Sequence, residues 1–241
     1  MIEINEKKKI GLEMLEEIDR IFNENNIWYS LAYGSALGAY REHGFIEWDP
    51  DIDILITIDD QDKVRELLRR GLSDSYFVIS CDKDNVSAYD IVAKKGVFEG
   101  DFHIDLYPLS GGPDNLSDGY KFQRKCRRIH SYSKCKYVSL KRLKKKWKVP
   151  FVVVIKLIEK FIPDCKIRTY IKKEATKYPF KDSKYVFPFA NDGKVGEYME
   201  KDILMNTKRV PFENLNLPIT YDINYYLTRI YGDNYMTPIK F

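Results

Sequence analysis

Apolar residues recur every three or four positions near the start of the chain, at Ile10, Met14, Ile18 and Ile21. This spacing lines one face of a helix and predicts a helix over residues 7–26. Shorter apolar and aromatic runs, bounded by turn residues, predict strands and further helices along the rest of the chain. The predicted strands are 27–33, 51–58, 76–80, 89–95 and 97–109, and the predicted helices are 35–44, 59–72, 150–163 and 221–232, with a loop at 110–119.

Three carboxylates alternate where the second predicted strand begins, at Asp49, Asp51 and Asp53. Alternation puts them on one face of the strand, while the residues between them face the core. Like charges this close repel each other, and a divalent cation that prefers oxygen ligands, Mg²⁺ or Mn²⁺, would compensate them. The alternative is an ordinary solvated strand entry, because Asp-Pro at positions 49–50 is a common turn pair.

Two further features surround the acidic strand. Gly34 and Ser35 stand at a predicted strand-to-helix junction, where a glycine lets a phosphate approach the backbone and a helix N-terminus offers free N–H groups. Asp105 is a lone carboxylate on a later apolar strand, between Ile104 and Leu106. A Gly-Ser turn, an Asp-x-Asp strand and a later acidic strand together favour metal-assisted phosphate chemistry.

This order of motifs resembles the nucleotidyltransferase superfamily, and more closely the LicD/fukutin family of phosphotransferases. The stretch GSALGAYREHGFIEWDPDIDILI at 34–56 is similar to the family signature, and HIDLYPL at 103–109 to its second acidic strand. Residues 209–239, with a tyrosine-rich helix and YGDNYMTP, resemble the C-terminal block. Pro50 replaces an acidic residue that many members carry, so Asp51 and Asp53 are the expected metal ligands and Asp49 is an additional candidate.

The resemblance implies an α+β fold, a nucleotidyltransferase-like mixed β-sheet flanked by helices, with an added basic helical segment. It divides the chain into a catalytic core at 1–118, a basic helical or membrane-facing insertion at 119–184, and a C-terminal part of the same domain at 185–241. It also implies transfer of phosphocholine, or a similar phospho-alcohol, from a CDP-linked donor to a hydroxyl of a cell-surface glycan precursor, with release of CMP.

The resemblance also assigns roles to residues of this chain. Asp51, Asp53 and Asp105 are expected to be catalytic and to hold Mg²⁺ or Mn²⁺, and Asp105 could instead accept the proton of the acceptor hydroxyl. Gly34 and Ser35 are expected to hold phosphate oxygens. Arg41 could pair with a phosphate, or be a solvated helix charge.

Charge is distributed unevenly along the chain. The net charge is +4, yet residues 119–158 hold 14 of the 40 basic residues and none of the 36 acidic ones. This segment includes Trp147 and an apolar stretch, Phe151 to Ile162, and its densest cationic run is Lys141, Arg142, Lys144, Lys145, Lys146 and Lys148. Such a combination predicts peripheral binding to an anionic membrane. The alternative is that the apolar helix is core and the lysines are its solvated flank.

The cysteines and the apolar runs predict where the protein works. Cys81 and Cys165, like the other two cysteines, form no CxxC pair, so reduced thiols are expected, in the cytoplasm or at the periphery of the inner face of the membrane. No export signal or membrane-spanning segment is predicted. A zinc site formed by Cys126, His130 and Cys135 is conceivable, but no fourth ligand is near in sequence.

Two other functions remain open from the sequence. Transfer of a nucleotidyl group to a small molecule, with loss of pyrophosphate, is the enzymatic alternative. A nucleic-acid-binding protein is the other, because aromatic residues are interleaved with the basic ones. The acidic remainder of the chain argues against nucleic acid as a partner.

Overall fold

The computed structural model describes residues 4–49, 51–81, 88–96, 102–135, 137–140, 146–190 and 197–238. Its helices are α1 (Ile4–Glu24), α2 (Tyr33–Arg41), α3 (Gln61–Gly71), α4 (Leu116–Ser133), α5 (Val149–Glu159), α6 (Asp164–Ala175), α7 (Lys201–Met205) and α8 (Ile223–Tyr231). Its strands are β1 (Tyr29–Leu31), β2 (Asp51–Thr57), β3 (Tyr76–Ile79), β4 (Asp90–Lys94), β5 (His103–Gly112), β6 (Tyr185–Pro188), β7 (Met199–Glu200), β8 (Thr207–Phe212) and β9 (Leu215–Thr220).

Seven of these strands form one mixed sheet in the order β1-β2-β5-β4-β3, with β6 and β7 continuing from the far end of β5. Strands β2 and β5 are parallel, and the other pairs in this sheet are antiparallel. Strands β8 and β9 form a separate hairpin. The predicted α+β class with a mixed sheet is confirmed. The predicted three-part division of the chain stays a prediction.

The central strands are held by apolar side chains that alternate with the polar ones. Ile52 and Ile54 of β2 and Ile104 and Leu106 of β5 are completely buried. Each such side chain contributes about 1.5–3 kcal/mol relative to an exposed one. Because side chains alternate along a strand, a slip of one residue would turn all four to the other face, so the apolar residues fix the register.

A buried ion pair ties α3 to the edge of the sheet. The Arg65 guanidinium donates to both carboxylate oxygens of Asp90 on β4, at 3.1 Å and 3.0 Å. The Asp90 carboxylate also accepts from the backbone N–H of Cys81. With these partners both buried charges are satisfied, and loss of either one would leave the other without compensation.

Several predicted boundaries shift. The helix predicted at 7–26 is α1, and its periodic apolar residues are buried as expected. The strand predicted at 27–33 is shorter, because α2 already begins at Tyr33. The loop predicted at 110–119 is wrong: β5 continues through Gly112, where it pairs with β6, and α4 begins at Leu116.

Only part of the basic segment belongs to the described residues. Lys141, Arg142, Lys144 and Lys145 lie outside the described residues, as does Pro50. The described part is helical and includes α5, which is not the buried core helix that was one of the two alternatives, because most of its large apolar side chains are exposed. Among the described residues, no helix combines the length and apolarity required to cross a bilayer.

The conceivable zinc site is not supported. Cys126, His130 and Cys135 do not form a metal-ligating group within the described part of the chain. His130 is completely buried in α4, and neither ring nitrogen has a hydrogen-bond partner among the described residues. Burial, with a smaller effect of the nearby Lys134 charge, lowers the pKa of His130 to about 3. The imidazole is therefore neutral in the folded protein.

This histidine makes folding sensitive to acid. Its pKa is lower in the folded than in the unfolded chain, so stability is complete above the unfolded value of 6.5 and falls as the pH decreases toward 3. At pH 5 the loss is about 2 kcal/mol. Between pH 7.5 and pH 5, the free energy of unfolding of His130→Leu should fall by about 2 kcal/mol less than that of the parent protein. Urea denaturation at the two pH values measures this difference.

A surface histidine provides the control for this measurement. His43 is exposed and has a left-handed backbone, which asparagine tolerates well. His43→Asn should keep the parental pH dependence. Equal pH dependence in His130→Leu and the parent would show that His130 is not the source.

Candidate active site

The parallel register of β2 and β5 brings the predicted acidic residues together. Asp53 lies directly opposite Asp105, and Asp51 lies opposite His103. Residues separated by about 50 positions in sequence are therefore neighbours at the start of two central strands. The prediction that Asp105 lies close to Asp51 and Asp53 is confirmed.

Three side chains converge at this point. His103 Nε2 lies 3.5 Å from Asp105 Oδ1 and 3.9 Å from Asp51 Oδ2. One ligand atom from each of Asp51, His103 and Asp105 lies within 4.8 Å of the others, which makes this triad a group that could hold a metal ion. Asp105 Oδ1 is buried and has no hydrogen-bond partner among the described residues, whereas Oδ2 accepts from Tyr107 at 2.9 Å. A buried carboxylate oxygen without a donor is suited to a cation.

Two further carboxylates lie beside the triad. Burial and then the charges of Asp51, Asp105 and Asp49 raise the pKa of Asp53 far above its usual value. Burial and the adjacent Asp51 raise the pKa of Asp49 to about 7. Asp53 is not a member of the triad, although the sequence predicts it as one of the two firmer ligands. The repulsion expected from the sequence is therefore present, and four carboxylates share it.

The first turn of α2 lies against this cluster. A Cβ placed on Gly34 would lie 2.0 Å from Asp49 Oδ2, so only glycine fits there while the carboxylate keeps its position. Ser35 is buried, and its Oγ accepts from the backbone N–H of Asp53 at 3.0 Å. Ala32, at the N-cap, provides no side-chain hydrogen bond to the first turn. The N-terminus of α2 thus borders the acidic cluster, as the Gly-Ser motif predicts.

Arg41 is not brought to this site. It is in the last turn of α2, about 10 Å along the helix axis from Gly34 and Ser35. Its guanidinium donates to Glu42 and to the backbone carbonyl of Tyr235. The geometry gives it a structural role between α2 and the C-terminal residues, and phosphate binding by Arg41 stays a prediction without geometric support.

The C-terminal helix forms a wall beside the carboxylates. Tyr226 of α8 accepts a hydrogen bond from the backbone N–H of Tyr33 at 3.1 Å, which holds Tyr33 in a left-handed conformation with φ 45°. Burial, followed by the charges of Asp53 and Asp49, raises the pKa of Tyr231. Burial raises the pKa values of Tyr33, Tyr226 and Tyr231, and the charge of the buried Glu197 adds to the effect. The tyrosine-rich helix therefore lies beside the acidic cluster.

Lys134, in the basic segment, carries a positive charge that acts on the acidic cluster. Lys134 Nζ lies 5.1 Å from the centre of the Tyr89 ring, and Tyr89 packs on Tyr107 with ring centres 4.8 Å apart. The Lys134 charge lowers the pKa of Asp105, partly opposing the larger effect of burial. Neither Lys134 nor Tyr89 stands in a motif, so the sequence did not identify them, and His103 was left open between a structural and a functional role.

A separate cavity lies away from the acidic cluster. It has a volume of about 260 Å³, lies between α3 and α6, and is lined by Arg65, Cys81, Cys165, Arg168 and Lys172 among others. None of the acidic cluster contributes to it. The chemistry-bearing residues instead lie at the start of β2 and β5.

The mixed sheet, with carboxylates on two parallel strands next to a Gly-Ser helix start, is consistent with a nucleotidyltransferase-like LicD fold. Residues 26–111, which span β1 to β5, match the family model described as LicD/FKTN/FKRP, nucleotidyltransferase domain. This part of the chain is a LicD-type domain, and the resemblance to the LicD/fukutin family is confirmed.

Two relatives extend this result. The chain is 24% identical to the lipopolysaccharide cholinephosphotransferase LicD of Haemophilus influenzae, over 98% of this chain and 92% of that protein. It is 35% identical to an uncharacterized protein of Rickettsia typhi, over 27% of this chain and 21% of that protein. The first similarity includes the C-terminal block and the basic segment, which lie outside the matched domain.

Substitutions at two glycines of α2 distinguish an effect on the site from an effect on stability. We expect Gly34→Ala to displace the Asp49 carboxylate and lower turnover at least about tenfold, with a Tm close to that of the parent protein, because a side chain can move aside. A Cβ on Gly38 would instead lie 2.4 Å from the backbone carbonyl of Gly44. Gly38→Ala should therefore lower the Tm. If Gly34→Ala kept full turnover, the position of the Asp49 carboxylate would not matter for the reaction.

Proposed function

We propose that this protein is a metal-dependent phosphotransferase. It moves a phospho-alcohol head group, phosphocholine or a similar one, from a CDP-linked donor to a hydroxyl of a cell-surface glycan precursor and releases CMP. The observation that carries this proposal is the triad of Asp51, His103 and Asp105 beside the N-terminus of α2. The name of the Haemophilus relative supports phosphocholine and a lipopolysaccharide acceptor.

The described residues fit a divalent cation. Asp51 and Asp105 supply carboxylate oxygens, and Asp105 Oδ1 is buried without a donor among the described residues. Mg²⁺ and Mn²⁺ prefer such oxygens, and the His103 imidazole suits a transition metal better than Mg²⁺. When bound, the ion would offset negative charge on the diphosphate of the donor and on the departing CMP.

The remaining residues divide the other tasks. In the transfer, the acceptor oxygen forms a bond to the phosphorus of the head group, and the bond from that phosphorus to the CMP oxygen breaks. The N–H groups at Gly34 and Ser35 hold phosphate oxygens, and Lys134 adds positive charge at the rim. Asp53 lies outside the triad and receives the proton of the acceptor hydroxyl. This role revises the sequence expectation that Asp53 is a metal ligand.

Separate readouts distinguish the ligands from the proton acceptor. We expect Asp51→Asn and Asp105→Asn to weaken Mn²⁺ binding by more than about tenfold, measured by calorimetry, and to lose turnover. Asp53→Asn should bind Mn²⁺ nearly as well as the parent protein and still lose turnover by about 100-fold or more. The matched control is Asp182→Asn, which changes an exposed carboxylate and should alter neither property.

Two results would contradict these assignments. If Asp53→Asn weakens Mn²⁺ binding as much as Asp105→Asn does, Asp53 is a ligand, as predicted from the sequence. If no variant changes Mn²⁺ binding, the triad does not hold the metal.

The reaction itself is tested by offering alternative donors. We expect CMP to be released, and head group transferred, from one of CDP-choline, CDP-ethanolamine, CDP-glycerol or CDP-ribitol in the presence of Mn²⁺ and a glycan acceptor, with products followed by mass spectrometry. Transfer of labelled nucleotide from CTP or ATP, with release of pyrophosphate, would favour the nucleotidyltransferase alternative. Asp105→Asn serves as the inactive control.

A further inference from the structure

A row of large apolar side chains is exposed along α5 and the turns that flank it. Trp147 is 67% exposed, and Phe151, Val154, Ile158 and Phe161 are 65%, 54%, 57% and 83% exposed. Their spacing of three or four residues places Phe151, Val154 and Ile158 on one side of the helix, and Phe161 follows in the turn after it. We call these five residues the apolar face of α5. Contiguous apolar surface of this kind marks an interaction site.

Within the described part of the chain, little packs against this helix. Of its residues, Val152 and Glu159 are buried, whereas most of its other apolar side chains are exposed or half-buried. Such a helix gains little from intramolecular burial, although its composition is strongly apolar. The apolar face is therefore available to something outside this chain.

Lysines surround the apolar face, whereas Glu159, the acidic residue of α5, is buried. Lys146 lies before it, Lys156 lies within α5 and Lys160 follows the helix. Residues 119–158 contain no Asp or Glu. Trp147 lies where the cationic run meets the apolar one, and its ring packs against Phe151 with centres 6.4 Å apart. Tryptophan at such a boundary, with lysines able to extend to the headgroups, is typical of a helix lying in a membrane interface.

We propose that the apolar face of α5 binds the surface of an anionic membrane. A second copy of this chain fits less well, because a symmetric interface would place the same lysines of two chains together. A protein partner also fits less well, because lysine is depleted in protein interfaces. An anionic bilayer satisfies both parts at once: it takes up the apolar side chains and attracts the lysines.

The surface is connected to the acidic cluster through a short stretch. Lys134 lies at the rim of that cluster, and the next residue, Cys135, is close enough to α5 to be influenced by the charges of Glu159 and Lys156. Membrane binding does not depend on the proposed reaction, and each can fail without the other.

Vesicle co-sedimentation of the full chain tests the proposal. We expect the partition coefficient to be at least about tenfold higher on equimolar phosphatidylglycerol and phosphatidylcholine than on phosphatidylcholine alone, and to fall with added salt. Lys146→Glu/Lys156→Glu/Lys160→Glu should lower it by about tenfold or more. Phe151→Ser/Phe161→Ser should do the same with unchanged thermal unfolding, because both side chains are exposed.

Matched controls separate position from overall charge and hydrophobicity. Lys9→Glu/Lys95→Glu/Lys181→Glu makes the same change in net charge at exposed lysines on other elements. Tyr221→Ser/Met236→Ser removes two exposed apolar side chains from the C-terminal part. Both controls should bind anionic vesicles as the parent protein does.

Several outcomes would overturn the proposal. One is equal partition on neutral and anionic vesicles, or binding that the α5 variants do not reduce. Another is a dimer in gel filtration that Phe151→Ser/Phe161→Ser dissociates, without vesicle binding, which would assign the face to a second copy. A third is salt-dependent oligonucleotide binding that the lysine variant abolishes, again without vesicle binding.

Discussion

The parallel register between β2 and β5 is the constraint on which the site depends. Buried isoleucine and leucine side chains on both strands fix it, because a slip by one residue would turn them out of the core. The same register places Asp53 opposite Asp105 and Asp51 opposite His103. Burial of the apolar residues thus provides the free energy that holds like charges together, which those charges would not do alone.

Burying these carboxylates close together raises their pKa values and favours a cation between them. Asp105 is buried and accepts a hydrogen bond from Tyr107, and Asp53 lies half-buried opposite it. The raised pKa values of both carboxyls show that this environment opposes a second negative charge. A cation bound between Asp51 and Asp105 would remove that opposition, and the anionic donor would be drawn to a site that the ion makes less negative. The cluster is therefore better suited to binding a metal than to adding stability, since without a metal it is a source of repulsion.

The sequence predicts the parts of the site that lie within local patterns. Alternation identifies β2 and the shared face of its carboxylates, and the position of Asp105 on an apolar strand identifies its partner. Glu197, Lys134 and Tyr89 escape prediction because they reach the cluster through tertiary packing from separate elements and follow no local period. Arg41 shows the opposite failure: it is near Gly34 in sequence, yet a helix of nine residues carries it to the far end. The loop predicted at 110–119 fails because pairing with β6 extends β5 through two glycines.

The lysines of the basic segment lie in two different environments. Lys134, at its centre, is directed inward, where its charge acts on Asp105. Lys146 and Lys160 are exposed on either side of the apolar face of α5. A single run of sequence without acidic residues therefore supplies positive charge both to the acidic cluster and to an outward surface. A carboxylate in this run would add to the repulsion within the cluster or, in the proposed membrane contact, oppose the approach of an anionic surface.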